Sequence, residues 1–168
     1  MYEICRLCKN SKQALNTRSS LVSSRSCPNW IAPPPGRLKL NTAVALRKDG
    51  WSIGVGAAIW DDKGLVIAAQ SNQLVGSFNA DVGELIALRE GLLLALFYNL
   101  QVDFAEVVSP TVVSFLNDPT PLVGESKFIV QDIKSMFLAI GICKSLAISK
   151  SGNSLALRLE LLAFSSAR

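Results

Sequence analysis

Any chemistry in this chain has to be done without imidazole, because none of its 168 residues is histidine. That removes Ser-His-Asp and Cys-His catalysis, His-ligated zinc and imidazole acid–base chemistry. Thiols and carboxylates are left. Cys5 and Cys8 have the spacing of half a zinc site, but zinc needs four ligands and only Cys27 lies near enough in sequence to join them. Two plain thiols in a tail is the competing reading. Cys143 stands alone, so the four cysteines make no disulfide scaffold, and a reducing, intracellular compartment (nuclear or cytoplasmic) is expected. Among the acids, Asp81 and Glu84 are three residues apart where the pattern turns helical, so they can share a helix face. A single acid there has a plain role, favouring the positive end of a helix dipole by about 0.3–1 kcal/mol.

Holding such groups in place takes a core, and 49% hydrophobic against 18% charged residues supplies one. The longest charge-free apolar run, Gly91 to Val102, is shorter than the roughly 20 residues of a membrane-spanning helix, so a soluble protein with no membrane partner is expected. Leu38 to Ala45 reads as a strand and Lys48-Asp49-Gly50 as a hairpin turn. Ser52 to Trp60 is a second strand, with small residues where a helix can press closely, and Leu65 to Gln70 a third. From Asp81 to Asn99 the apolar residues Val82, Leu85, Ile86, Leu92, Leu93 and Leu96 recur at helical spacing behind Asn79 as N-cap. A strand from Phe104 to Val108 follows, then a short helix from Ser109-Pro110 to Asn117 and a Pro/Gly loop from Asp118 to Ser126. Lys127 to Ile140 predicts a helix presenting Phe128, Ile129, Ile133, Met136 and Ile140. A strand from Ser145 to Ser149 and a helix from about Asn153 complete the order, read as βββαβαααβα with some helices short.

Charge divides the chain. Up to Lys48 there are nine Lys/Arg and one acid, Glu3; from Asp49 onward there are eight Lys/Arg and twelve acids. The expected organisation is a basic, Ser-rich, disordered leader (1–29), a Trp/Pro-rich linker (30–36) and a folded domain (37–168). The leader has the composition of an organelle transit peptide, which ordinary Ser/Arg-rich tails share.

Three segments carry a family resemblance. Trp30 with Pro33-Pro34-Pro35-Gly36-Arg37-Leu38-Lys39-Leu40-Asn41 resembles the opening of the ribonuclease H-like domain of plant reverse-transcriptase-derived (retroelement) proteins. Gly54-Val55-Gly56-Ala57-Ala58-Ile59-Trp60-Asp61-Asp62-Lys63-Gly64 is similar to its second strand and turn. Gly83-Glu84-Leu85-Ile86-Ala87-Leu88-Arg89-Glu90-Gly91-Leu92 is similar to its first helix. Together the likeness runs from Trp30 to about Leu159. It implies an α/β fold whose mixed five-stranded sheet, an antiparallel meander of three strands followed by parallel strands, is flanked by helices.

The resemblance also implies a chemistry, hydrolysis of the RNA strand of an RNA–DNA hybrid by two Mg²⁺ ions roughly 4 Å apart on four carboxylates. Carried over residue by residue, that set is incomplete. Asn41-Thr42-Ala43-Val44-Ala45 stands where the family has Asn-Val-Asp-Gly-Ala, so Ala43 takes the first position. Glu84 keeps the second. Glu106-Val107-Val108-Ser109 replaces Glu-Ser-Asp-Ser and puts Val108 at the third. Asn153-Ser154-Leu155-Ala156-Leu157 puts Leu157 at the fourth, and the family's histidine falls near Ala147. Asp49, Asp81 and Glu106 are the acids near enough in sequence to compensate, with Asp49 expected in a turn and Glu106 on the opposite sheet face from Val107. Two readings follow: a catalytically dead ribonuclease H-like module needing no cofactor, or a working metal-dependent ribonuclease. Nucleic acid (RNA–DNA hybrid or RNA) is the implied partner, bound weakly and mainly through the basic leader.

Overall fold

The computed structural model describes residues 30–118, 124, 126–142 and 144–165. The leader with Cys5, Cys8 and Cys27, most of the expected 118–126 loop, and Cys143 lie outside the described residues. Three antiparallel strands come first: β1 (Lys39–Leu46), β2 (Ser52–Trp60) and β3 (Val66–Val75). Helix α1 (Ala80–Phe97) leads to β4 (Phe104–Val107), α2 (Pro110–Asn117), α3 (Ser126–Ile140) and β5 (Lys144–Ala147). A 3₁₀ turn (Ser151–Asn153) runs into α4 (Ser154–Leu162). The sheet order is β3-β2-β1-β4-β5, with β1–β4 and β4–β5 parallel, which is the expected mixed architecture.

Local chemistry explains the element boundaries that match expectation. At the β1–β2 hairpin Gly50 has φ +74°, a left-handed conformation that glycine adopts without steric cost, and its N–H donates to the Arg47 carbonyl at 2.9 Å. Asn79 caps α1 by accepting from Val82 N–H at 2.9 Å, and Ser109 caps α2 from Val112 N–H at 3.3 Å ahead of Pro110.

Other expectations are corrected. β3 continues five residues past Gln70, because its polar stretch Ser71-Asn72-Gln73 pairs with Val55, Gly54 and their neighbours across the hairpin. Among the described residues two helices, not three, separate β4 from β5. Phe128 is 72% exposed; α3 instead buries Val130 with Ile133, Met136 and Ile140. Leu93 and Leu96 are exposed, and α1 buries Leu85, Leu88, Leu92, Leu94 and Ala95.

The two faces of the sheet are built differently. Leu40, Ala57 and Ile59 join the apolar core made with α1, α2 and α3. On the opposite face α4 lies directly on the β2 backbone. A side chain at Gly54 would overlap the Glu160 carbonyl, and one at Gly56 the Ala156 carbonyl. The small residues of β2 are therefore the seat of α4, and the Ser71 hydroxyl fastens its far end by donating to the Leu159 carbonyl at 2.6 Å.

Gly56→Ala is expected to lift α4 off the sheet and cost about 1–3 kcal/mol or more. Gly50→Ala, where no atom lies within 4 Å but φ is positive, should cost about 1 kcal/mol. Urea unfolding of the two variants measures the difference, and equal losses would contradict the packing account.

Candidate functional site

The positions singled out by sequence lie near the carboxyl end of β1. Leu40 and Thr42 lie under Gly91 of α1, and Val44 under Gly83. Alternation along the strand therefore turns Lys39, Asn41 and Ala43 to the α4 face. Ala43 is buried opposite Gly56 of β2, where α4 makes its closest approach. Glu84 follows Gly83 in α1. The parallel pairing of Asn41 with Glu106, carried two residues on, sets Val108 level with Ala43. Leu157 is half-buried in the first turn of α4. The start of that helix is tied to β1 by Asn153, whose Nδ2 donates to the Thr42 carbonyl at 2.8 Å. Ala43, Val108 and Leu157 carry only carbon in their side chains.

The acids around them are not equivalent. Glu106 faces away from the apolar face, as its alternation with Val107 predicts, and it is engaged there. Lys39 Nζ is 2.8 Å from Glu106 Oε1, and Asn41 Nδ2 donates to Oε2 at 2.9 Å. Asp49 sits in its turn, paired with Arg47 at 3.0 Å. Asp81 accepts from the Ser109 hydroxyl at 3.5 Å. Among the described residues no three Cys, Asp or Glu side chains group closely enough to hold a metal ion.

Glu84 is the electrostatic anomaly. Its Oε2 is buried without a hydrogen-bond partner, and its pKa rises from 4.5 to about 7. Burial is the main cause; the charges of Glu160 and then Asp81 push the same way, and Lys150 opposes them. The helix-dipole reading of this residue weakens, because α1 begins at Ala80 and the acid of its first turn is Asp81. Glu160 is the residue that sequence reasoning passes over. It lies in α4 three residues after Leu157, is 7% exposed, has a buried Oε2 with no partner, and also rises to about 7, chiefly through burial. Its sequence signal is faint: a lone acid in a Leu-rich helix at i+3 from a site position.

Residues 41–159 match the family described as reverse transcriptase-like. Among solved structures, an RNase H1 isolated from compost, in complex with an RNA/DNA hybrid, is 20% identical with a TM-score of 0.68 over 78% of this chain and 99% of that one. The RNase H1 of the archaeon Halobacterium salinarum is 17% identical, TM-score 0.63, over 79% and 100%. A foamy viral protease–reverse transcriptase bound to an RNA/DNA hybrid is 16% identical, TM-score 0.59, over 90% of this chain and 23% of that one. At these identities the likeness is one of fold. No curated protein matches the chain.

The raised carboxyls set a pH dependence. Between pH 4.5 and about 7 the folded chain keeps protons on Glu84 and Glu160 that the unfolded chain has released. Their contribution to stability is therefore most favourable below about pH 4.5, falls as pH rises, and levels off above about 7. The melting temperature should drop between pH 5 and 8. Glu84→Gln or Glu160→Gln should flatten that drop and raise the value at pH 8, by about 2–4 °C per kcal/mol recovered. Calorimetry across pH checks this, and an unchanged slope in both variants would refute it.

Proposed function

The chain belongs to the reverse transcriptase-like family, and from that premise we propose that it is a plant retroelement-derived ribonuclease H-like domain that binds nucleic acid without hydrolysing it. One observation carries the reading. Of the four positions where the resemblance calls for carboxylates, three hold Ala43, Val108 and Leu157, which offer a cation no oxygen. Mg²⁺ takes oxygen ligands and keeps near-ideal octahedral geometry. Two such ions drawn together by Glu84 alone would repel each other with too little negative charge between them. The residues present therefore do not fit a two-metal centre, and no hydrolytic step is assigned to them. Glu84 is the one family carboxylate kept, and no cofactor is needed for binding.

The fold, and neighbours described in complex with RNA/DNA hybrids, support a nucleic-acid partner. The basic leader 1–29 is proposed to supply most of the attraction to phosphate, ahead of the linker 30–36 and the domain 37–168. An intracellular setting, nuclear or cytoplasmic, goes with this reading.

The deciding assay is a labelled RNA–DNA hybrid with Mg²⁺ or Mn²⁺. No cleavage is expected, and the melting temperature should be the same in millimolar Mg²⁺ as in chelator. Val108→Asp alone should stay inactive. Ala43→Asp, Val108→Asp and Leu157→Asp together rebuild the quartet with Glu84; that variant should be less stable in chelator and regain part of the loss in Mg²⁺. Cleavage by the unaltered chain, with a Mg²⁺-dependent rise in its melting temperature, would establish the alternative, an active metal-dependent ribonuclease. Hybrid affinity of the full chain should fall steeply with salt. A chain starting at Trp30 should lose most of it; a start at Asp49 would remove the central strand β1 and test nothing. Equal affinity with and without residues 1–29 would remove the leader from the account.

A further inference from the structure

Strand β3 is the longest in the sheet and lies at its edge, paired only to β2 among the described strands. Proteins blunt such an edge by brevity, charge, proline or a bulge. The far edge follows that rule, since β5 has four residues and begins with the exposed Lys144. β3 does not. Among its ten residues, Val66-Ile67-Ala68-Ala69-Gln70-Ser71-Asn72-Gln73-Leu74-Val75, none is charged and none is proline. Its one irregularity against β2 lies at the start, and from Ala68 to Val75 the register is unbroken. Val66, Ile67 and Val75 are exposed.

The direction of the backbone groups follows from the hairpins. The Gly76 N–H donates to the Trp51 carbonyl at 3.0 Å. Bonded pairs recur at every second residue of an antiparallel ladder, so Leu74, Asn72, Gln70 and Ala68 turn their backbone groups to β2. The Arg47 N–H, donating to the Ser52 carbonyl, gives Ser52, Gly54 and Gly56 to β1 and leaves Ile53, Val55 and Ala57 for β3, which is the same phase. Ala69, Ser71, Gln73 and Val75 therefore turn their backbone groups outward, where none of the described strands meets them.

We propose that this edge pairs with β3 of a second copy, antiparallel and centred on Ser71, to make a two-fold dimer with a continuous sheet. A two-fold contact has to be self-complementary, and here outward-facing residues must meet outward-facing residues. Centring on Ser71 satisfies both. It sets Ser71 opposite Ser71 of the second copy and Ala69 opposite its Gln73. At two bonds per pair that makes about six, within the range of about 5–15 found in standard interfaces. The side chains match as well: Ala68 faces Leu74 of the second copy, Ile67 faces its Val75, and Gln70 faces its Asn72. Shifting the centre by one residue sets Leu74 against Gln70 one way and Ile67 against Gln73 the other. No charge in the strand opposes the approach of a like strand. The Ser71 hydroxyl points to α4, so the two α4 helices lie on one face, either side of the seam. This surface is independent of the nucleic-acid reading.

Sedimentation equilibrium of the full chain, from micromolar to hundreds of micromolar, is expected to show a monomer–dimer equilibrium. Ala69→Pro removes an outward N–H and spares the bonds to β2, as proline at a strand edge allows. It should fold and be monomeric throughout. Asn72 is exposed and lies diagonally across the seam from Asn72 of the second copy, at about 7–8 Å. Asn72→Lys and Asn72→Asp should each associate about fivefold more weakly than the parent, and an equal mixture of the two should recover the parent affinity. Hydrogen exchange locates the contact: the amides of Ala69, Ser71 and Gln73 should slow as concentration rises. A parent chain that stays monomeric overturns the proposal. So does a dimer that survives Ala69→Pro with fast exchange at those amides, which places the contact elsewhere, as on the exposed Phe97 and Leu138. If Ala69→Pro does not fold, the Lys/Asp mixture decides, and no recovery on mixing overturns the pairing.

Discussion

The structure depends on how closely α4 can lie on β2. Two glycines let the Ala156 and Glu160 backbone rest against the strand where any side chain would collide. That contact sets both the height and the rotation of the helix. The side chains of the helix inherit their positions from it: Leu157 is half-buried, Glu160 is buried one turn on, and Asn153 reaches the Thr42 carbonyl. Backbone-to-backbone packing of this kind offers little freedom to adjust, because no flexible side chain lies between the surfaces to take up a shift. The opposite face is a conventional apolar core of interdigitating Leu, Ile and Val, which can repack at modest cost.

Two acidic sites differ in how their carboxylate oxygens are met. Glu106 lies between Lys39 and Asn41, with both carboxylate oxygens engaged, and the Lys39 ammonium also donates to the Ile31 carbonyl at 2.5 Å and lies 5.6 Å from the Trp30 ring centre. Removing one partner of such a buried pair costs about 3–5 kcal/mol. Glu84 and Glu160 each have one buried oxygen without a partner, and burial favours their neutral forms up to about pH 7. The linker residue Trp30 belongs to the first site. Its packing on Trp60 and its bond to Asn41 attach the 30–36 segment to the domain.

Sequence reasoning reached what local chemistry decides. Asn79, Ser109-Pro110 and Asp49-Gly50 are cap and turn signals whose meaning does not depend on the rest of the chain, and the elements they bound appear where expected. The strand order is read from the residue pattern and agrees with a resemblance spread over three separated segments; the four site positions rest on that resemblance alone. The misses share a cause. β3 runs on through Ser71, Asn72 and Gln73 because β2 offers a partner, and nothing within those residues announces a strand. Phe128 looks like core and is not, since α3 is rotated to bury Val130 instead. Glu160 could be placed beside Glu84 only by knowing the rotation of α4, which is fixed by glycines about a hundred residues earlier.

These placements bear on what the loss of carboxylates accomplishes. On the proposed reading, alkyl groups at Ala43, Val108 and Leu157 remove the mutual repulsion that clustered carboxylates would have without metal. Relief is incomplete, however. Glu84 has one buried oxygen without a partner, and the charge of Glu160 pushes its pKa up further. A domain drifting freely toward stability has a simple exchange to make at both positions, glutamine or an apolar residue for glutamate, since neither acid forms a hydrogen bond at its buried oxygen. Both acids therefore stand where stability alone favours an uncharged residue, and the question each poses is how large that cost is. Melting behaviour across pH separates the energetic side of that question, because a cost that vanishes on removing Glu84 measures how much the fold gives up to keep it.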